Sequence, residues 1–238
     1  MKILSTEFVT SAAAGGRADE IPADGLAQIA FAGRSNVGKS TLLNALTRAK
    51  LARTSAAPGK TRLANIYRVT LDGGPGGPGR WGVYFVDLPG YGYARGGSDA
   101  AAELAAVAAA YYDAGGWRLA VGGSQPGINR KSQEASSQSP AANRDAERPK
   151  GATLHLIDAR HPALQSDIDA ARWFDSLGVL RHVVATKIDK LGRSERNRNL
   201  KELERIFGNT ALPVSAASGE GLDELWKLIA KAARERRQ

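Results

Sequence analysis

The stretch Gly33-Arg34-Ser35-Asn36-Val37-Gly38-Lys39-Ser40 sets a glycine at each end of a short loop and follows the second with a lysine and a hydroxyl. Glycines let the backbone fold round an oxyanion so that its N–H groups point inward, and a helix beginning at the loop adds favourable partial charge. Lys39 can reach outer phosphates, and the Ser40 hydroxyl can ligate Mg²⁺. The flanks agree. Gln28 to Ala32 is an apolar run that reads as a buried strand, and Lys39 to Ala49 carries Leu42, Leu43 and Leu46 at helical spacing. A phosphate loop needs this order of strand, loop and helix. By itself it does not choose between ATP and GTP.

Four further elements follow in order. Asp87-Leu88-Pro89-Gly90 ends the apolar run Val83 to Val86, so Asp87 is expected to hold Mg²⁺ through water and the Gly90 N–H to sense a γ-phosphate. Thr186-Lys187-Ile188-Asp189 ends the run His182 to Ala185. A carboxylate at 189 can accept from both N1–H and the 2-amino group of guanine. Adenine offers no such pair of donors, so this residue would select the base. Ser215-Ala216-Ala217 follows the apolar run Leu212 to Val214, and a backbone N–H there, at Ala216, can reach the guanine O6. Between the first helix and the second strand, Arg53 to Arg62 contains Thr54 and Thr61. Either can ligate Mg²⁺ in a triphosphate state. Thr61 is favoured, being nearer the next strand, with Gly59, Lys60, Arg62 and Leu63 beside it.

Apolar runs alternate with helical patterns, the signature of an α/β sheet. Ala64 to Leu71 and Thr153 to Ile157 read as further strands, with Gly73 to Gly79 a turn or flexible hairpin loop. Helices are expected from Ser98 to about Tyr112, over Ile168 to Leu177 and Arg193 to Phe207, and in a C-terminal segment with Leu222, Leu225, Trp226 and Ile229 on one face. Residues 1–25 are expected to be an N-terminal extension and 26–238 a single domain. Within it, 122–151 is too poor in apolar residues to offset its ordering entropy, and reads as a disordered insertion with no fold role.

Composition bounds the rest. The 238 residues include no cysteine, which excludes disulfides and thiolate metal sites. No run approaches the roughly 18–20 apolar residues of a membrane span, and the N-terminus does not read as a secretory leader. A cytoplasmic protein is expected. The formal net charge is +9, which favours polyanionic partners, above all nucleic acid. Solubility alone is the plainer explanation.

Taken in order, these residues resemble the translation-factor-related bacterial GTPases, and specifically the EngB family, also called YihA or YsxC. The stretches that carry the resemblance are Phe31 to Ser40, Ala52 to Ser55 with Pro58 to Thr61, Asp87 to Ala94, and Asp158 to Pro162. It covers nearly the whole chain outside 122–151 and 73–79. The resemblance implies a Ras-like, six-stranded, mostly parallel sheet with helices on both faces, and Mg²⁺ held by Ser40 and Thr61. It also implies hydrolysis of GTP to GDP and a switch role in assembling the large ribosomal subunit or its precursor, needed for normal cell division and septation. A monomer is expected. Two departures stand out. Thr186 replaces the Asn of most such proteins, and Ser-Ala-Ala replaces the more frequent Ser-Ser.

Many GTPases carry a Gln directly after Asp-x-x-Gly to orient the attacking water. Here Tyr91 stands there, so slow intrinsic hydrolysis is expected. Asn36 is then either a loop-shaping residue or part of a K⁺ site beside the phosphates that supplies the missing charge. Asp158, Arg160, His161 and Pro162 could contact a partner, brace the guanine loop or form a structural turn. His155 and His182 read as core residues. The basic C-terminal run Arg234 to Arg237 and the Arg193 to Lys201 helix either touch RNA or form solvated faces. Two other readings remain at this point: a basic RNA-binding scaffold with structural nucleotide, and an ATP-dependent kinase, against which Asp189 argues.

Overall fold

A computed structural model of the chain describes residues 2–12, 21–22, 24–51, 64–74, 77–91, 106–112, 151–162, 164–208 and 210–234. Its strands are β1 (Lys2–Ala12), β2 (Ala27–Gly33), β3 (Ala64–Gly74), β4 (Gly77–Asp87), β5 (Gly151–Asp158), β6 (Arg181–Thr186) and β7 (Leu212–Pro213). They form one sheet in the order β1-β3-β4-β2-β5-β6-β7. β1, β3 and β4 run antiparallel to their neighbours in that series, while β4, β2, β5, β6 and β7 are mutually parallel. The helices are α1 (Lys39–Thr47), α2 (described over residues 106–112), α3 (Gln165–Ser176), α4 (Arg193–Phe207) and α5 (Leu222–Arg234).

β2 is the centre. All seven of its residues are buried, and its two faces feed two cores. Ile29 and Phe31 pack with Leu42, Leu43 and Leu46 of α1 and Trp226 and Ile229 of α5. Ala30 and Ala32 face the other way, toward Tyr111 and Tyr112 of α2 and Phe174 of α3. Successive residues of a strand alternate faces, so one apolar run serves both layers. A third cluster packs Ile157 and Ala185 against Leu203 and Phe207 of α4.

The strand count corrects the expectation of six. The seventh strand is β1, within the segment read as an extension, where it pairs with β3 from Lys2↔Asp72 to Ala12↔Ala64. Two register shifts, between Ile3 and Ser5 and between Phe8 and Thr10, break its period of two. That interruption, together with exposed Leu4, Phe8 and Val9 at the sheet edge, hides the strand from a pattern search.

The 73–79 stretch differs too. β3 runs on to Gly74 and β4 starts at Gly77, paired as Gly74↔Gly77. Antiparallel backbones satisfy each other's N–H and C=O whatever the side chains, and Gly73 at φ 78° absorbs the local register shift. β5 begins at Gly151, so that residue belongs to the sheet rather than the insertion. The rest of 122–151, the 98–105 part of the expected helix and the basic residues beyond Arg234 lie outside the described residues.

This topology sets the site. The strand order reverses at β2, whose neighbours are β4 and β5. In open α/β sheets ligands bind beyond the strand carboxyl ends at such a reversal. The carboxyl ends of β2, β4 and β6 carry the phosphate loop, Asp87 and Thr186.

Candidate functional site

The phosphate loop leaves β2 at Gly33 and enters α1 at Lys39. Gly38 adopts φ 102°, a conformation that side-chain residues resist. The Gly33 requirement is steric: a Cβ there would lie 2.8 Å from the Leu156 carbonyl oxygen and 2.9 Å from Val37 Cγ1. Asn36 stands at φ 65° and Lys187 at φ 60°. Backbone strain of this kind, on the order of 1–3 kcal/mol per residue, collects at functional loops.

Lys39 Nζ lies 2.9 Å from Asp87 Oδ1, and both side chains are nearly buried. Apart from this ion pair, Asp87 Oδ1 has no hydrogen-bond partner among the described residues. A buried carboxylate oxygen with only an ammonium nearby suits a group that can also face a divalent cation, and Mg²⁺ favours oxygen ligands of this kind. The residues present therefore fit the ion. Ser40 is half-buried at the start of α1.

Gly90 packs on the phosphate loop, leaving no room for a side chain. A Cβ would sit 2.9 Å from the Ser35 nitrogen. The next residue continues the contact: Ser35 N–H donates to the Tyr91 carbonyl at 3.1 Å, and Arg34 and Tyr91 form a parallel bridge. Leu88 is buried, and its N–H donates to the Phe31 carbonyl at 3.1 Å. Pro89 joins it to Gly90.

The segment after β6 is tied to the same loop. Thr186 Oγ1 donates to the Val37 carbonyl at 2.8 Å and lies 3.2 Å from that of Ile157. Lys187 Nζ bonds the Asn36 carbonyl at 2.5 Å and pairs with Asp158 Oδ2 at 2.9 Å. Asp158 also accepts from Arg160 Nε at 2.9 Å and Nη2 at 2.7 Å. Burial alone would raise the Asp158 pKa, but hydrogen bonds from Arg160 and Lys187 bring it down to about 2. Asp158 and Arg160 thus form a salt-bridged turn, and Asp158 also holds Lys187 of the segment before Asp189.

Ile188 is buried, and Asp189 follows in a short 3-10 turn (Ile188–Lys190). Asp189 Oδ1 accepts from Ser215 Oγ at 2.7 Å, and Lys190 Nζ lies 3.3 Å from Oδ2. The Ser215 hydroxyl, above other causes, holds its carboxyl below the usual carboxylate range. Asp189, Lys187, Gly38, Ala216 and Ala217 line one cavity of about 110 Å³. Of the phosphate loop only Gly38 is in that lining; Gly33, Arg34, Ser35, Asn36, Val37, Lys39 and Ser40 make up the rest of the segment from the end of β2 into α1, and Asp87 joins it through Lys39. Gly59, Lys60, Thr61, Arg62 and Leu63 lie outside the described residues, as does Thr54.

A polar cluster under the phosphate loop was not legible in the sequence. Arg34 Nε donates to Asp167 Oδ2 at 3.0 Å. The Tyr91 hydroxyl donates to Asp167 Oδ1 at 2.9 Å and lies 2.6 Å from His155 Nε2. Asp167 is fully buried in the first turn of α3. Burial raises its pKa, against the pull of Arg34 and Tyr91. Burial lowers the His155 pKa to about 3, so its ring is neutral. His155 is a core residue, as expected, and His182 is only half-buried. The sequence round Asp167, Gln165-Ser166-Asp167-Ile168-Asp169, is polar and carries no hint of its burial.

Comparison with known proteins adds the family. A family model described as 50S ribosome-binding GTPase matches residues 28–187. The probable GTP-binding protein EngB of Solibacter usitatus is 38% identical over 96% of this chain and 96% of its own length. That of Anaeromyxobacter sp. strain Fw109-5 is 37% identical over 98% and 93%. Among solved structures, a probable GTP-binding protein engB matches with a TM-score of 0.57 at 20% identity, over 88% of this chain and all of that one. Aquifex aeolicus Era, solved with GDP·AlF4⁻, matches with a TM-score of 0.61 at 23% identity, over 88% and 57%. These two likenesses concern the fold. With the site geometry and the full-length sequence matches agreeing, the chain belongs to the EngB family of GTP-binding proteins and is a GTP-hydrolysing enzyme.

Proposed function

We propose that this GTPase is a Mg²⁺-dependent cytoplasmic switch that acts on the large ribosomal subunit or its precursor, and that normal cell division and septation depend on it. The observation that carries the site assignment is that the buried Lys39–Asp87 pair and the Asp189 carboxylate all lie beyond the carboxyl ends of the parallel strands β2, β4 and β6. The first suits a metal-bound triphosphate, and the second suits guanine. The domain is taken as residues 26–238 with β1 added to its sheet.

In this reading the N–H groups of Gly33 to Ser40 and the Lys39 ammonium bind the phosphates. Asp189 accepts from guanine N1–H and the 2-amino group, and the Ala216 N–H donates to O6, with Ala217 closing the cavity. Thr186, Lys187 and Ile188 fix Asp189 against the phosphate loop. When bound, Mg²⁺ would neutralise charge on the phosphate oxygens, held by Ser40 and Thr61 and through water by Asp87. The Gly90 N–H senses the γ-phosphate, while Gly59, Lys60, Arg62 and Leu63 flank Thr61.

The Tyr91 hydroxyl is committed to Asp167 and His155. It is therefore spoken for and does not orient water, which supports slow intrinsic turnover. The exposed Asn36 side chain in the phosphate loop then supplies a ligand for K⁺ beside the phosphates. Equal turnover in K⁺ and Na⁺, or a K⁺ effect that survives Asn36→Ala, would remove this part.

A net charge of +9 suits ribosomal RNA, and the description of the matching family model as 50S ribosome-binding GTPase points the same way. Among described residues, no helix is long and apolar enough to cross a membrane. The test is capture of large-subunit particles by the purified protein with GDP and with a non-hydrolysable GTP analogue, across a salt series. Binding that follows the nucleotide and weakens with salt is expected. Capture indifferent to both would overturn the switch reading.

A further inference from the structure

Two segments touch the phosphates in the reading above, and a single side chain that touches neither nucleotide nor solvent ties them together. Asp167 offers two carboxylate oxygens. One accepts from Arg34, the second residue of the phosphate loop, at 3.0 Å. The other accepts from the Tyr91 hydroxyl, next to Gly90, at 2.9 Å. The backbones of the same two residues form a bridge. Gly90 lies so close to Ser35 that a Cβ would meet its nitrogen at 2.9 Å. A sub-ångström slip between these segments would therefore cause a clash or break the bridge.

The cluster is closed on its inner side. With His155 neutral and the Tyr91 proton given to Asp167, the 2.6 Å contact to His155 Nε2 requires that this nitrogen carry hydrogen and donate to the phenol oxygen. The remaining ring nitrogen, Nδ1, is buried without a partner among the described residues. The arrangement thus accepts one unsatisfied core atom. Well-packed apolar residues would fill such a place at lower cost. Geometrically, the cluster sets one of the two segments against the other.

We propose that Asp167 is a positioning residue for γ-phosphate recognition: through Tyr91 and Arg34 it holds the Gly90 N–H in register with the phosphate loop, and so sets the preference for triphosphate over diphosphate. This rests on the site reading given above. Asp167 acts only through other residues. GDP makes its contacts with the phosphate loop and Asp189 and does not need Gly90 in place. A GTP analogue does.

The test is Tyr91→Phe, which keeps the ring and its packing and deletes the hydroxyl. Affinities for GDP and a non-hydrolysable GTP analogue are measured by titration, with kcat and KM for GTP alongside. Loss of one hydrogen bond to a carboxylate is expected to weaken the analogue about tenfold. GDP should stay within about twofold, and kcat should fall. Asp167→Asn should shift the ratio the same way. If either variant fails to fold, Arg34→Gln serves, because the Arg34 side chain is 21% exposed and its removal leaves the Tyr91 contact intact. Folded variants in which both nucleotides weaken equally, or neither does, would overturn the proposal and reduce the cluster to core structure. Wild-type protein lacking guanine preference would instead sink the site reading itself, so the two failures are distinguishable.

Discussion

Asp189→Asn exchanges one carboxylate oxygen for an amide donor without changing shape. In the wild type, Oδ1 takes the Ser215 hydroxyl at 2.7 Å. The side chain is 19% exposed, so it is partly screened, and it lines a cavity of about 110 Å³. An anionic carboxylate can accept both guanine donors. Hydrogen bonds to a charged group contribute about 1.5–3 kcal/mol each. In the variant one contact becomes donor against donor and the other loses its charge. The combined loss should be about 3–4 kcal/mol, or roughly two to three orders of magnitude in affinity. The Ser215 bond survives, because Asn keeps an acceptor at Oδ1, so the thermal midpoint should hardly move. Xanthine carries a carbonyl where guanine carries the 2-amino group, and that carbonyl can accept from the new amide. The assay is displacement of a fluorescent guanine nucleotide by the diphosphates of guanosine, xanthosine and adenosine. Guanosine diphosphate should fall, xanthosine diphosphate should rise above it, and adenosine diphosphate should stay weak. Unchanged guanine affinity, or an equal loss for all three, would refute the role given to this carboxylate.

Thr186→Val keeps the shape but strips the donor that reaches the Val37 carbonyl at 2.8 Å. A loss of about 1–2 kcal/mol in stability is expected, together with weaker binding of GDP as well as GTP. Denaturant titration with and without nucleotide measures both, and an unaffected GDP affinity would show that the phosphate loop does not need this tether. His155 makes stability pH-dependent. Its folded pKa is depressed to about 3 from 6.5, so the unfolded chain binds the extra proton and stability falls as pH drops below 6.5, until the folded ring also titrates near 3. Between pH 7.5 and 5 this residue should remove about 2 kcal/mol. Urea unfolding of wild type and His155→Gln at the two pH values isolates it, and an equal pH slope in both proteins would contradict the burial argument.

The local chemistry of the site was written in short runs. A glycine-bounded loop with Lys39 and Ser40 states its business through spacing alone, because N–H groups that wrap a phosphate need that backbone. Asp87 and Asp189 could be placed because each ends an apolar run. The helix Arg193–Phe207 was bounded correctly at both ends, its stop marked by Gly208 at φ 66°. β1 was missed, since bulges spoil the alternation that betrays a strand. The Gly73 to Gly79 stretch reads as a turn or hairpin loop, and β3 and β4 do form a hairpin there, but their pairing runs in as far as Gly74↔Gly77 because backbone pairing needs no side-chain signal.

Sequence by itself therefore determined the layered α/β class and the family, and it supplied the expected phosphate loop and the carboxylate proposed to select guanine. Tertiary structure alone decided which distant residues share a hydrogen bond. Asp167 lies 133 positions from Arg34 and 76 from Tyr91, and nothing in its neighbours announces the pairing. Periodicity and spacing report what the nearby backbone must do. A buried carboxylate is defined by what surrounds it in space, and that is fixed only when β2, β4, β5 and α3 are packed together.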